Sequence, residues 1–163
     1  MDRPLTASPL DIFHPLIRKW FAEKVGVPTE VQRLAWPAIA SGEHVLATAP
    51  TGSGKTLAAF LWAIDRLATG AWERGRTSVL YVSPLRALNN DVRKNLLAPL
   101  AGIAEYFSMA GGVFPEVQVL TRSGDTPQSE RRAMLRRPPE ILITTPESLN
   151  ILLLNDGGRR VIS

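Results

Sequence analysis

Apolar and polar positions follow two different periods along the chain, and the period changes near residue 44. Before residue 44, the spacing predicts a helix with His14 as its cap and Pro15 as its first residue, ended by Gly26 and Pro28. Its apolar stripe consists of Leu16, Ile17, Trp20 and Phe21. The stretch PTEVQRLAWPAIASG predicts a second helix, which Pro37 kinks or divides. The face we expect it to bury consists of Val31, Leu34, Ala35, Ala38 and Ile39.

From residue 44 onward, short β-rich runs alternate with helical stretches. The runs that predict strands are HVLATA, SVLYVSP, VQVLTRS, EILITTP and RRVIS. Val79–Val82 is apolar at every position, which is typical of a strand covered on both faces. Helices are predicted at LRALNNDVRKNLLAPL and PQSERRAMLRR. This alternation predicts an α/β fold with an open, mostly parallel sheet and helices on both faces.

Composition narrows the class of protein. The 163 residues contain no cysteine and two histidines, which disfavours disulfides and a zinc site. No apolar run approaches the length of a membrane span, so we expect a soluble, cytoplasmic domain. The net charge of +4 is only mildly basic and does not by itself establish a nucleic-acid partner.

The octapeptide APTGSGKT, residues 49–56, satisfies the pattern [AG]-x4-G-K-[ST], and we call it the phosphate cradle. Glycines let successive backbone N–H groups turn toward phosphate oxygens, and the lysine reaches the β and γ phosphates. Thr56 places its hydroxyl on magnesium at the start of a helix. The alternative is a glycine-rich turn before an ordinary helix. The binding residues predicted from the cradle are Pro50, Thr51, Gly52, Ser53, Gly54, Lys55 and Thr56.

Upstream of the cradle, Gln32 admits two interpretations. A glutamine amide is able to donate to adenine N7 and to accept from its N6 amine. Thr29 and Gln32 also have the spacing of a capping box, in which Gln32 satisfies the backbone at the start of a helix. Spacing alone favours the cap, and both roles are compatible.

Five motifs occur in a fixed order: PTEVQ, APTGSGKT, SPLRAL, TRSGD and TTPESL. As an ordered set they resemble the first motor domain of superfamily 2 (DEAD/DExH-type) helicases. The residues of these motifs are most similar to those of the large helicase-related, or Lhr-type, ATP-dependent DNA helicases. The resemblance extends from about Phe13 to the end. It implies a RecA-like P-loop NTPase fold and ATP with Mg²⁺ as cofactors.

The resemblance also implies residue roles in nucleotide binding. Gln32 would recognise adenine, and Lys55 and Thr56 would be the catalytic contacts to phosphate and magnesium. Phe13 is the candidate ring that stacks on the base, with Trp20 and Phe21 as alternatives. By this comparison, residues 1–43 form a helical adenine-recognition region and residues 44–163 a partial RecA-like domain.

Three motifs are implied to contact nucleic acid. Pro84 and Arg86 lie in SPLRAL, where a strand gives way to a helix, although a solvated arginine is the alternative for Arg86. In TRSGD the candidates are Arg122 and Gly124. In TTPESL, Thr145 and Pro146 also make a standard capped helix start, so function and scaffold explain these last two motifs equally well.

A cluster of arginines in the next predicted helix suggests no specific role. It consists of Arg131, Arg132, Arg136 and Arg137. Such runs usually form a solvated helix face, and we expect that here.

The acidic pair of the DExH motif and a second motor domain are not found in the sequence. The sequence therefore predicts the ATP-binding front half of a helicase, with a fold that is incomplete at its C-terminus and not a complete motor alone. Its expected partners are nucleic acid, DNA in preference to RNA, and the remaining motor regions of a parent protein. The alternatives are a stand-alone P-loop phosphotransferase of a small substrate and a non-catalytic nucleic-acid-binding remnant.

Overall fold

The computed structural model describes residues 8–84 and 86–162, apart from the side chains of residues 86–88 and 90. Within that part, the helices and strands are α1 (Pro15–Lys24), α2 (Glu30–Ala40), α3 (Lys55–Ala68), β1 (Val79–Val82), α4 (Arg86–Met109), β2 (Val119–Arg122), α5 (Gln128–Arg136), β3 (Ile141–Thr144), α6 (Pro146–Leu153) and α7 (Asp156–Ile162). None of the helices in this part is both long enough and apolar enough to cross a membrane.

The elements belong to two compact units. The first contains the described residues up to Thr69 together with Gly102–Phe114, and the second contains Gly70–Ala101 and the residues from Pro115 onward. Helix α4 contributes its beginning to the second unit and its end to the first.

In the first unit, α1 begins as its sequence predicts. The Nδ1 atom of His14 accepts a hydrogen bond from the Leu16 N–H (3.3 Å), and Pro15 is the first helical residue. A proline is favourable there because the first N–H groups of a helix have no partner within it. The apolar stripe is buried at Ile17, Trp20 and Phe21.

Trp36 is at the centre of this unit and is completely buried. Its Nε1 donates to the carbonyl of Ala58 (3.1 Å), which joins α2 to α3. Asp65, also on α3, is buried and accepts a hydrogen bond from the His14 N–H (2.6 Å). Its other carboxylate oxygen pairs with Arg66 (2.5 Å). These bonds hold α1 and α2 against the helix that follows the phosphate cradle.

Helix α2 continues through Pro37, so the proline does not divide it, and a kink there stays a prediction. The face that α2 buries differs in part from the predicted one. Its buried residues are Gln32, Ala35 and Trp36, whereas Leu34 is 70% exposed. The prediction of the buried face considered apolar residues alone. In the structure, Trp36 and Gln32, one turn apart, are buried because the indole donates to a carbonyl of α3 and the amide to a carbonyl of the cradle.

The second unit contains a three-stranded parallel sheet in the order β1-β3-β2. Ile141 of β3 is in register with Val79 of β1 and with Val119 of β2. The predicted parallel arrangement is confirmed for these three strands.

Strand β3 is buried at all four positions. Leu142 packs in a cluster with Met134, Leu152 and Val161, which come from α5, α6 and α7. Ile141 and Ile143 point to the opposite face, because side chains alternate along a strand, and both are fully buried. The central strand is therefore covered on both faces, as an α/β fold requires.

Two of the five strand predictions are wrong, and a third strand is less covered than predicted. HVLATA forms no strand, and its residues are largely exposed. RRVIS lies mainly in α7, where Val161 is buried among the sheet-facing residues of its unit. SVLYVSP does form β1, but Leu80 (39% exposed) and Val82 (40% exposed) are not covered, so the expectation of a strand covered on both faces is wrong. An apolar run becomes a strand only where a neighbouring strand supplies its hydrogen bonds, and sequence does not show that neighbour.

Candidate functional site

The phosphate cradle forms a turn that leads directly into α3. Gly52 (φ +80°) and Gly54 (φ +85°) both adopt the left-handed backbone conformation, which is strained for any residue with a Cβ. Gly54 caps α3 and Lys55 is its first residue. The unpaired N–H groups of the first helical turn therefore lie at the end of the cradle, where they favour an anion.

The side chains of the cradle fit a phosphate ligand. The Nζ of Lys55 donates to the carbonyls of Ala49 (2.5 Å) and Pro50 (2.6 Å), so the ammonium lies across the turn. The hydroxyl of Ser53 is buried and has no hydrogen-bond partner among the described residues. Thr56 is exposed in the first turn of α3. This arrangement offers a cation, an unsatisfied hydroxyl and an accessible hydroxyl on one short segment.

A cavity of about 580 Å³ opens beside the cradle. Its lining includes Thr29 and Leu34 at and within α2 and Leu46, Pro50 and Ser53 of the segment that leads into α3. Its volume is in the range of small-molecule sites.

Gln32 connects α2 to the cradle. Its Oε1 accepts from the Thr29 N–H (3.0 Å), and its Nε2 donates to the carbonyl of Gly54 (3.2 Å). The side chain is 1% exposed. The bond to the Thr29 backbone is the one that a capping box requires, and the bond to Gly54 was not foreseen from the sequence. A Cβ at Gly54 would lie 2.5 Å from Nε2, so only glycine allows this approach.

The candidate stacking rings are all in the core of the first unit. Phe13 is 4% exposed and contacts Trp36 edge-to-face, with ring centroids 4.9 Å apart. Trp20 is 5% exposed and Phe21 is fully buried. None of these three rings presents an open face to a base in this structure, because each is used in helix packing.

In the second unit, Arg122 is at the carboxyl end of β2 and is 8% exposed. Its carbonyl accepts a hydrogen bond from the Thr144 hydroxyl (2.8 Å), which fixes its backbone to β3. Burial lowers the pKa of its guanidinium, and the charge of Arg131 lowers it further. No ion pair of Arg122 occurs in the described part of the chain. A desolvated cation in this situation favours an anionic ligand.

The other predicted nucleic-acid residues lie after the strands of the same sheet. Pro84 is exposed and follows β1. Arg86 begins α4, and its side chain is outside the described part. Gly124 is exposed in the turn after β2. Because carboxyl ends of parallel strands meet at one edge of a sheet, these segments share that edge.

Thr145 and Pro146 follow β3 and begin α6. The Thr145 Oγ1 accepts from the Ser148 N–H (3.4 Å), and Pro146 is the first helical residue. The capped helix start is confirmed. A phosphate contact at this position stays a prediction.

The arginine cluster does not behave as one solvated face. Arg132 and Arg136 are exposed, and Arg137 pairs with Glu116 (3.3 Å). Arg131 is half-buried and donates to carbonyls of the turn after β2. The expectation of a solvated face is therefore wrong for Arg131. The sequence contains no signal for this, because Arg131 belongs to the same run of charges as its exposed neighbours.

Comparison with known proteins identifies the family. The model of the DEAD/DEAH box helicase family matches residues 29–162, which include both the cradle and the segments that follow β1, β2 and β3. The chain belongs to the DEAD/DEAH box helicase family. The expected RecA-like fold is confirmed with it.

Among relatives of this helicase domain are two bacterial proteins. One is the Lhr helicase/probable uracil glycosylase of Mycolicibacterium smegmatis, which is 52% identical over 96% of the chain. Another is the Lhr helicase/uracil glycosylase of Escherichia coli strain K12, which is 47% identical over 93% of the chain. The chain spans 10% of the length of each of these relatives.

A solved structure extends the similarity to three dimensions. The structure of the Mycobacterium smegmatis helicase Lhr bound to ssDNA and AMP-PNP has a TM-score of 0.88 and 52% sequence identity. The alignment covers 95% of this helicase domain and 19% of that chain.

Proposed function

We propose that the chain binds ATP and single-stranded nucleic acid, with DNA preferred to RNA, as the N-terminal part of an Lhr-type ATP-dependent helicase motor. The observation that supports nucleotide binding is the cradle itself, which has two left-handed glycines, a lysine across the turn and a helix start at its end. The relative that is 52% identical was solved with ssDNA and AMP-PNP, which supports both ligands.

The Lys55 ammonium has one N–H left for a phosphate oxygen, and to reach both the β and the γ phosphate it has to exchange at least one carbonyl partner for a phosphate oxygen. This exchange is favourable because an ammonium binds a phosphate oxygen more strongly than a neutral carbonyl. Thr56 is the side chain that would hold Mg²⁺. Among the described residues no cluster of three or more His, Cys, Asp and Glu side chains could hold a metal ion, so within this part of the chain Thr56 is the candidate ligand. Bound there, magnesium would neutralise phosphate charge.

We also propose that residues up to 43 supply the adenine-recognition element through Gln32. Both polar atoms of its amide already bond to protein, but Nε2 retains one further N–H and Oε1 a second lone pair. Gln32 is therefore able to recognise adenine while it keeps its bond to the Thr29 backbone, provided that its side chain, which is 1% exposed, becomes accessible to the base. Stacking by Phe13 requires that ring to leave the contact with Trp36.

For nucleic acid, the proposal assigns Arg122 to a backbone phosphate. A buried guanidinium without an ion-pair partner in the described residues gains more from a phosphate than an exposed arginine does, because water screens it less. Pro84, Arg86, Gly124, Thr145 and Pro146 are the neighbouring candidates. Such contacts position the strand and carry no base sequence.

The nucleotide test compares Lys55→Ala with Lys19→Ala, which removes an exposed lysine of α1. Binding of a fluorescent ATP analogue with Mg²⁺ should weaken by at least about tenfold in the first variant, because one charged phosphate contact is lost. It should be unchanged in the second. Equal binding by Lys55→Ala and the unsubstituted chain would refute the assignment of the cradle.

The same preparation separates the alternative functions. ATP hydrolysis that increases with oligothymidylate supports the motor function, and binding of both ligands without turnover supports a binding module. Transfer of phosphate to a small acceptor without nucleic acid would support a phosphotransferase. Parallel titrations with oligothymidylate and oligouridylate test the preference for DNA.

A further inference from the structure

The turn after β2, residues 123–126, is held by one side chain from α5. The Nε of Arg131 donates to the carbonyl of Thr126 (2.8 Å). Its Nη2 donates to the carbonyls of Ser123 (3.2 Å) and Gly124 (2.7 Å). One guanidinium therefore binds three backbone oxygens of a four-residue turn. Three of its five N–H groups are used in this way.

The turn also closes on itself. The Ser123 N–H donates to Oγ1 of Thr126 (2.8 Å), and the Thr126 N–H donates to the Ser123 carbonyl (3.2 Å). The Thr126 hydroxyl in turn donates to the carbonyl of Thr121 on β2 (3.4 Å). Arg131 adds the three hydrogen bonds to backbone carbonyls, so both N–H groups and carbonyl groups of the turn have partners.

This fixed turn directly follows Arg122, the buried cation assigned to phosphate. An arginine placed there only to be solvated would be exposed, as Arg132 is. Instead, Arg131 lies near a second positive charge, an arrangement that is unfavourable unless its bonds offset the repulsion. Its planar fork matches several carbonyls at once, which a lysine ammonium on a flexible stem does not.

We propose that Arg131 is a positioning residue, which holds the turn of residues 123–126 in the shape that Arg122 and the turn need to meet a nucleic-acid phosphate. The inference rests on the nucleic-acid function proposed above. Its physical basis is preorganisation: a turn that is ordered before binding does not lose that conformational entropy in the complex. Arg131 acts through the turn and not through a contact of its own with the ligand.

The first test measures hydrogen exchange of the Ser123 and Thr126 amides without nucleic acid. Arg131→Gln and Arg131→Lys should both speed exchange at these amides by roughly tenfold, because neither side chain replaces the forked donor. Arg132→Gln, which removes the same charge from the next position, should leave it unchanged. Protection that survives in both Arg131 variants would overturn the proposal.

The second test measures binding of fluorescein-labelled oligothymidylate over a range of salt concentrations. Arg131→Lys keeps the charge, so a direct phosphate contact would retain most of the affinity. A positioning role predicts that it loses roughly as much as Arg131→Gln, about tenfold. Thr126→Val loosens the turn without changing any charge and should weaken binding in the same direction. Wild-type affinity in Arg131→Lys would overturn the proposal.

The two tests separate the two hypotheses. If the unsubstituted chain shows no salt-dependent binding of oligothymidylate, the nucleic-acid function is wrong and the positioning role is wrong with it. The exchange data still decide whether Arg131 orders the turn. If the unsubstituted chain binds and Thr126→Val binds equally well, the turn is not part of the site, and only the positioning role is refuted.

Discussion

Gln32 is a buried amide that serves both the start of α2 and the cradle. Its two hydrogen bonds join Thr29 to Gly54, so the position of the cradle depends on a side chain twenty-two residues upstream. The approach is possible only because Gly54 has no side chain. A residue proposed to recognise a base therefore also fixes the position of the cradle.

Gly54→Ala should destabilise the chain more than Gly42→Ala. Both glycines have a left-handed backbone (φ +85° and +79°), which costs a residue with a Cβ about 1 kcal/mol. Only at Gly54 does the new Cβ meet another group, the Gln32 Nε2 at 2.5 Å, whereas nothing lies within 4 Å at Gly42. Urea denaturation of both variants measures the difference. Equal losses of stability would mean that Gln32 moves aside freely.

Tyr106 and Glu23 form a second polar pair within the first unit. The Tyr106 hydroxyl donates to Oε2 of Glu23 (2.5 Å). This hydrogen bond, together with burial and the negative charges of Glu23 and Glu105, raises the pKa of Tyr106 to about 12. The folded chain thus holds the phenol proton more tightly than the unfolded chain.

The contribution of this pair to stability should depend on alkaline pH. It is fully present below about pH 10, the ordinary pKa of tyrosine, and is lost as the pH rises toward about 12. Ultraviolet titration of the phenolate, with Tyr106→Phe as the reference, gives the folded-state pKa. In Glu23→Gln the pKa of Tyr106 should fall toward its ordinary value. A value unchanged by that substitution would show that Glu23 is not the cause.

Helices α1 and α2 each contain a proline, but at positions with opposite consequences. Pro15 is the first residue of α1, where its missing N–H has no helical partner. Pro37 is in the interior of α2, where the helix continues although one backbone hydrogen bond is absent. The helix persists because Trp36 and Gln32 anchor it to the cradle and α3. Tertiary bonds therefore overcome a local helix breaker.

Pro37→Ala should raise the free energy of unfolding by about 1–3 kcal/mol, because an exposed interior proline is replaced by a good helix former that has an N–H. Pro15→Ala is the matched control and should change stability by less than about 0.5 kcal/mol. Thermal unfolding followed by circular dichroism measures both. A loss of stability in Pro37→Ala would indicate that the ring itself packs or limits the unfolded chain.

The sheet has its own anchor at the amino ends of its strands. Glu140 directly precedes β3, is 4% exposed, and accepts backbone hydrogen bonds from Gly75 (2.8 Å) and Gln118 (2.8 Å). Its two carboxylate oxygens thus hold the segments that lead into β1 and β2. A carboxylate suits this position because it offers acceptors only.

Glu140→Gln should destabilise the chain by about 1–3 kcal/mol, because the amide turns a donor toward one of the two N–H groups and leaves it unsatisfied. Glu116→Gln is the control, since Glu116 is exposed and its pair with Arg137 lies at the surface. Equilibrium denaturation compares the two variants. Equal effects would indicate that the Glu140 carboxylate is not needed at the strand starts.

The two units carry different parts of the proposed function. All cradle residues and Gln32 are in the first unit, whereas Arg122, Arg131 and the start of α6 are in the second. Each unit buries its own aromatic or aliphatic core, around Trp36 in the first and Leu142 in the second. The ligands proposed for the chain should therefore leave separate signatures along the sequence.

Hydrogen exchange should resolve these signatures. An ATP analogue with Mg²⁺ should protect amides of residues 50–58, because it binds the cradle and the first turn of α3. Oligothymidylate should protect residues 122–126 and the start of α6. Lys55→Ala should abolish the first effect and keep the second. Protection of residues 122–126 by the nucleotide alone would contradict the separate assignment of the sites.

Local sequence predicted the features that depend on few neighbours. The His14 cap, the Pro15 start, the Thr145 cap and the glycines of the cradle all follow from steric and hydrogen-bond rules within one turn of chain. HVLATA and RRVIS were assigned wrongly because strand formation depends on a partner that their own residues do not specify. The five ordered motifs indicated the family, which the comparisons confirm.

The sequence by itself determined the helix starts and the glycine turn of the phosphate cradle, because each depends on backbone geometry within a few residues. Only the tertiary structure decided which three of the five predicted strands form and which polar side chains are used inside the protein. Gln32 bonds to Gly54, and Arg131 to the turn after β2, across contacts that no local pattern encodes. The physical reason is that a buried donor takes the nearest unsatisfied acceptor in space, and nearness in space is set by packing.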